Sequence, residues 1–580
     1  MFHRTRDHCT GVMGTRDRPA SSTSSAFAES ASSIRATHFR TTHHRVGRAE
    51  EPSLLLAVVK RRHGRERSPR GAQYRVRIGR SIVIPAEVDG PSWCEPGLDR
   101  RGGRYPLSVE APVTAMVDTL VPGVSTLTRL VRYYALYWAL GDHAQEHDLD
   151  SAACRTLVRR TEVGLARISI AHDRALFAHG TDTVKSLLRK GAATGLASPG
   201  RSSYSPRSWG FWSQYNGPSM ALGTVTVESD ALRAGKHPCP ASVGRMFRPL
   251  IDLATREEMD DGDVDRLSAL AIEAPDTPDL PPLRDLFAAT RDGRHLPEEW
   301  SGDDHTRRAT LRLLARAVQR TPGKARVNAF RHYLAYGDTL DTDPVLIGDD
   351  RARAWRGVLL RHHSVGAWRR MWAALVQQVL DMSGTATRND LHAWISSEVS
   401  DVTVREFTRS LPPAVDPKGH PLPAEESFLG EPFSPEADLA VLLLGARRLE
   451  HLEGRSLDAF LGRRRGSSGR GRFLDPNWVA FRRSEHEDRS LPELARAFVD
   501  DMIAQSRRVA LRKLRVGEDG RMTVFSKLHE RNGRYFAEQA EGAGNVGLRI
   551  HQLSEMAEQL GLFTEDGVTP VCTELLELAG

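Results

Sequence analysis

Two histidines four residues apart, with a glutamate beside the second, form the short pattern His143-Ala144-Gln145-Glu146-His147. Helical spacing would place both imidazoles on one face, and H-x-x-E-H is the pattern of inverted zinc proteases. A chain with 22 histidines produces such patterns by chance, and no acidic ligand stands out in a second helical motif. A solvated helix end therefore fits better. The expected metal-ligand set is none, and a metal-dependent hydrolase centred on His143, Glu146 and His147 is the alternative. His172-Asp173 could complete a metal-phosphohydrolase set with His143, His147 and Asp182, but the spacing gives no support.

Other chemistry is missing where it would be sought. Thr321-Pro322-Gly323-Lys324 is the nearest fragment to a phosphate-cradling loop, without the upstream glycine or the following Ser or Thr. Gly217-Pro218-Ser219-Met220-Ala221 fails the hydrolase elbow at its last position. No cofactor is implied, and the balance leans away from an enzyme. The aromatic group Tyr204, Trp209, Phe211, Trp212 and Tyr215, with Arg201 and Arg207 beside it, could stack bases. Core packing is the better reading of it.

Arginine is the residue with the clearest local message. Arg463-Arg464-Arg465-Gly466-Ser467-Ser468-Gly469-Arg470-Gly471-Arg472 holds five arginines and no acid, with Arg447, Arg448, Arg482 and Arg483 near it in sequence. A loop of this kind can order on phosphate through paired guanidinium contacts, or it can be a solvated linker. Downstream, Ser506 to Arg515 reads as a helix with one basic face, Arg507, Arg508 and Arg512, which would extend the patch. DNA or RNA, held through phosphates, is thus one expected partner.

The global charge carries less than it suggests. The chain is +7 overall, but residues 1–75 hold 15 Lys+Arg against 6 Asp+Glu, leaving 66 basic and 68 acidic residues over 76–580. The first 75 residues are rich in Arg, Ser, Thr and His with almost no periodic apolar positions, so they are expected to be a disordered basic arm. A nucleic-acid arm, a transit peptide and an upstream start codon wrongly included in the reading frame compete to explain it, and the last fits best. Five scattered cysteines, none at zinc-knuckle or redox spacing, fit a reducing, cytoplasmic setting. The most apolar run, 437–446, is about half a membrane span, so no membrane partner is expected.

These side chains must be positioned by helices. Apolar residues recur at three and four over Val113–Leu120 and again over Leu127–Trp138, interrupted by Pro122-Gly123. Similar stripes run over about 151–190, 240–272, 306–337, 351–382, 388–410, 436–462, 490–515 and 545–562. Weak alternation over 74–88 suggests one hairpin and little other sheet. The expected fold is mainly α: a helical body over 76–410, a proline-rich linker over 411–435, and a C-terminal helical region over 436–580. That region ends, over about 545–580, in helix, strand, turn, strand, helix, the order of a winged-helix unit. The first helix of this unit exposes Gln552, Glu555, Glu558 and Gln559, which favours docking to protein over reading DNA.

The segment Pro122-Gly123-Val124-Ser125-Thr126-Leu127-Thr128-Arg129-Leu130-Val131-Arg132-Tyr133-Tyr134 resembles a P-G-x-S-x-x-T-R-x-x-R-Y-Y signature. It belongs to large uncharacterised helical bacterial proteins, some associated with restriction and phage-defence loci. The resemblance covers under a tenth of the chain and brings no catalytic residues. It implies a helical body starting near Arg100. Ser125 or Thr126 would cap the helix after the Pro-Gly turn. Arg129 and Arg132 would be structural ion pairs or, alternatively, an anion site at that helix start. The functional expectation is a non-enzymatic adaptor or scaffold in a bacterial nucleic-acid-handling assembly, working with other protein subunits. A DNA-binding regulator is a further alternative.

Overall fold

A 32-residue helix, Asp350–Asp381, is buried along most of its length. Its apolar residues are not confined to one stripe: Trp355, Trp368 and Trp372 are fully enclosed, and Arg356, Arg361 and His362 are buried on the same helix. Helices Gly454–Phe460, Pro435–Arg447, Arg326–Ala335 and Ala111–Leu120 pack against it. Gly357 is what allows the first of these to come close, because a Cβ there would collide with the Ser456 carbonyl oxygen.

The computed structural model describes residues 98–101, 105–174, 178–189, 210–256, 259–430, 434–463, 472–516 and 522–578. The chain divides into two units, Met1–Asp89 and Gly90–Gly580, and the description is of the second. The expected arm over 1–75 and the hairpin over 74–88 lie outside the described residues. The fold is mainly helical, with 61% helix and 8% strand. Among the described residues, no helix is long and apolar enough to cross a membrane.

Helix starts follow local chemistry. Ser301 with Asp304, Thr387 with Asp390, Thr403 with Glu406 and Ser490 with Glu493 each form a reciprocal capping box. The helix after Pro122-Gly123 departs from expectation: it begins at Arg132, not near Ser125. Ser125 Oγ accepts from the N–H groups of Leu127 and Thr128, and Ser125 N–H donates to Thr128 Oγ1. These side chains thus hold a local turn that competes with helix, and Leu127 is left 56% exposed. The cap for this helix comes from elsewhere, as Val131 N–H donates to Gln559 Oε1 at 3.0 Å.

Among the described residues, sheet is confined to small pieces. Val225–Glu228 and Ala231–Ala234 form a hairpin through Ser229 and Asp230, both at positive φ, the geometry of a two-residue hairpin turn. Leu528–Arg531 and Arg534–Ala537 turn at Asn532-Gly533 in the same way, and Thr385–Thr387 pairs with the second strand. Met522–Phe525 pairs with Arg515–Val516 and, in parallel, with Leu98–Arg101.

The proline-rich stretch contains no α-helix among its described residues before Pro435. Its Glu425, with no measurable exposure, takes both Nε and Nη2 of Arg448, at 2.9 and 2.6 Å. At the end of the chain, helix Ile550–Gln559, the two short strands Phe563–Thr564 and Gly567–Val568, and helix Pro570–Leu575 follow in the expected order. Arginines from other elements hold this segment by its backbone. Arg284 donates to Leu560 O, Arg326 to Thr564 O and Arg312 to Leu576 O. Two of these are cap carbonyls that a helix end leaves without an internal donor.

Candidate functional site

Both ends of the Arg/Gly/Ser loop are rigidly built. Before it, helix Gly454–Phe460 closes on Gly462 at φ +66, with Gly462 N–H bonded to Ala459 O and Arg463 N–H to Asp458 O. This is the paired-bond helix terminus that favours glycine; a side chain at 462 would also run into Pro112. After it, Asp475 caps helix Pro476–Glu485 through Trp478 N–H at 2.9 Å and accepts from Arg472 N–H at 2.8 Å. Arg464, Arg465 and Arg470 lie outside the described residues; Arg463 is half-buried and Arg472 exposed.

The loop exit meets the basic helix Leu491–Lys513. Asp501 of that helix, 5% exposed, accepts from Trp478 Nε1 at 2.8 Å and from Arg482 Nε and Nη2 at 2.9 and 2.7 Å. With the two helices locked, Arg508 lies with its guanidinium carbon 4.5 Å from the ring centre of Phe473. Phe473 leans on Trp478 with ring centres 4.3 Å apart, and Trp478 on Phe481 at 5.7 Å. Arg482 sits over the Trp478 ring at 5.1 Å, and Phe481, the last in the row, is 55% exposed.

The charge on this face is not cancelled. Among the described residues Arg472, Arg508 and Arg512 pair with no carboxylate; Arg512 donates to Ser108 Oγ, while Arg507 is 3.5 Å from Glu530. Behind the loop exit, the buried guanidinium of Arg361 has no hydrogen-bond partner at Nε or Nη1 among the described residues. Burial lowers its pKa to about 10, against the pull of Asp475, so it stays charged at neutral pH. The residues missing from the sequence reading are Phe473, Trp478 and Phe481. Their signal was an aromatic series starting directly after the arginine loop, with Trp478 and Phe481 one helical turn apart. The Arg508–Phe473 contact had none.

The histidine pattern gathers as its spacing implied. It ends helix Arg132–Glu146, with His147 in the capping position. One ligand atom from each of His143, Glu146 and His147 lies within 4.8 Å of the others, and the two rings stand edge to face with centres 4.2 Å apart. The adjoining strand hairpin clamps this helix end: Ala234 N–H donates to Gln145 Oε1 and Arg233 Nη1 to Leu149 O. Gly141 permits the approach, since a Cβ there would lie 2.8 Å from Arg233 O. Helix Ala241–Arg256 supplies Arg248, 3.7 Å from Glu146 and 3.1 Å from Asp252. A cleft of about 670 Å³ opens beside the two rings. Burial first, then His147 and Arg248, lower the pKa of His143. Among the described residues, His172, Asp173 and Asp182 do not join this group.

Arg132 does not form the anion site that was the alternative for it. Its Nε meets Asp279 at 3.1 Å, Nη1 donates to Ala269 O and Ala271 O, and Nη2 to Ala274 O and Thr277 Oγ1. All five guanidinium donors are therefore directed at protein acceptors. Arg129 lines a cleft with Glu273, Glu555 and Glu558, which repel an anion. In the aromatic group, Phe211 and Tyr215 are core residues, 0% and 1% exposed. Tyr204, Trp209, Arg201 and Arg207 lie outside the described residues.

Comparison of the chain with protein-family models, curated proteins and solved structures finds no match.

Proposed function

We propose that this protein is a non-enzymatic adaptor or scaffold of a bacterial nucleic-acid-handling assembly, and that it holds single-stranded nucleic acid on the face formed by Arg472, Phe473, Phe481, Arg508 and Arg512. The observation that carries the reading is the placement of Arg508 on Phe473 at the exit of the Arg/Gly/Ser loop. It joins two basic features 36 positions apart in the chain into one surface that has both cations for phosphates and rings for bases. Base–aromatic stacking is tolerant of sequence and contributes about 1–3 kcal/mol per base. Guanidinium–phosphate contacts add affinity that falls with salt. Arg463, Arg464, Arg465 and Arg470 add further cations for phosphates to this reading.

The resemblance of the Pro122–Tyr134 segment to proteins of restriction and phage-defence loci fits such a setting, in the bacterial cytoplasm. The C-terminal elements are read as a winged-helix unit that docks to protein. Glu558 is ion-paired with Arg326 and Gln559 is bonded to the backbone at 129–131, so the helix that would read a DNA groove is engaged by its own chain. This favours the adaptor over a sequence-specific DNA regulator.

The test is a salt-series binding assay on the full chain with single- and double-stranded DNA and RNA. The parent is compared with a variant in which Arg463, Arg464, Arg465, Arg470 and Arg472 are Ala; residues 1–75 are the same in both, so their charge cancels in the comparison. Preference for single strands, with loss of affinity and salt slope in the variant, supports the reading. Equal binding by both proteins overturns it.

A further inference from the structure

We propose that His143, Glu146 and His147 form a site for a divalent transition-metal ion of the zinc class. The donor set is the first argument. Two imidazole nitrogens and a carboxylate oxygen suit zinc, which takes them at about 2.0–2.2 Å, so its ligand atoms stand roughly 3.3 Å apart around a tetrahedral ion. The three groups already lie within 4.8 Å of one another, and rotation of the exposed Glu146 and His147 side chains closes the difference.

The surroundings favour a cation. The site is the C-terminal end of a 15-residue helix, where unpaired carbonyls concentrate negative partial charge. Among the described residues, His143 Nδ1 is buried with no hydrogen-bond partner, a condition that costs free energy unless something occupies it. Arg248 competes for Glu146, but at 3.7 Å that contact is the looser of its two; the 3.1 Å contact with Asp252 remains when Glu146 turns to a metal. The backing does not move with it, because the hairpin holds Gln145 and Leu149 on either side. Three protein ligands leave one position open toward the cleft.

The site is independent of the nucleic-acid face, and its test reads binding directly. Untagged full-length protein is titrated with Co²⁺, whose visible absorption reports coordination, and Zn²⁺ is then added in competition. The parent and a variant with both His143→Ala and His147→Ala share the six histidines of residues 1–89, so the difference between them isolates this site. The parent should bind one Co²⁺ more than the variant, released by Zn²⁺, with an affinity for that ion at least about 100-fold above any the variant retains. Identical titrations of the two folded proteins overturn the proposal. If the double variant does not fold, the exposed single changes His147→Gln and Glu146→Gln are read in its place, and an unchanged cobalt spectrum in both overturns it equally.

Discussion

Gln559 caps a helix whose N-cap residue, Val131, lies 428 residues before it. Its Oε1 accepts from Val131 N–H at 3.0 Å while its Nε2 donates to Arg129 O at 2.7 Å, so one amide satisfies both sides of the chain entering helix Arg132–Glu146. Gln559→Ala should lower unfolding free energy by about 1 kcal/mol, as loss of a cap does elsewhere. Urea denaturation measures it; Gln559→Glu should do worse at the Arg129 carbonyl, because a carboxylate has no donor for it.

The Arg448–Glu425 pair is 1% and 0% exposed, so neither charge can turn to water. Arg448→Met alone should cost about 3–5 kcal/mol, because it strands Glu425, whereas joining it to Glu425→Leu should recover most of the loss. A double variant no more stable than the single would contradict this account.

His362 is a neutral imidazole by construction. Nε2 lies 2.7 Å from Val546 O and must donate, while Asn545 Nδ2 stands 3.2 Å from Nδ1 and also donates to His362 O at 2.9 Å. A second ring proton would face a donor. Burial, opposed by the Val546 contact, lowers the pKa from 6.5 to about 3. The folded state thus binds this proton less well than the unfolded state. The stability is fully present above pH 6.5 and is lost as pH falls through the window down to about 3. Between about pH 7 and pH 5 the loss should be about 2 kcal/mol, and His362→Asn should flatten the dependence in urea midpoints taken across that range.

Gly141→Ala should cost about 1–3 kcal/mol through overpacking, since the new methyl lies against the Arg233 backbone. Hydrogen exchange should report the change first in the hairpin at 225–234, and cobalt binding at His143 and His147 should weaken with it.

On the nucleic-acid face, charge and stacking should separate. Arg508→Ala should reduce the salt slope for single strands by about 0.7, the contribution of one phosphate contact. Phe481→Ala should cost about 1–3 kcal/mol of binding with the slope unchanged. A Phe481 variant that binds like the parent would remove stacking from the reading.

Helices were legible wherever a stripe or a cap is written locally. The capping boxes at Ser301, Thr387, Thr403 and Ser490 and the long apolar run after Asp350 need only neighbours a few residues away. The histidine group was legible for the same reason, since i and i+4 meet on any helix. The hairpin at Asn532-Gly533 was also written in its turn residues, although the surrounding stretch lacks strong alternation and was not read as sheet.

What the sequence by itself determined is therefore local: helical content, most helix starts, and which side chains share one helical turn. Tertiary structure decided the rest. It turned Arg132 from a possible anion ligand into a tie for five acceptors and placed Gln559 on a distant helix start. It also brought Arg508 over Phe473. Each depends on which elements become neighbours, and that follows from burying the whole set of apolar faces at once, a sum over contacts far apart in the chain that no short window contains.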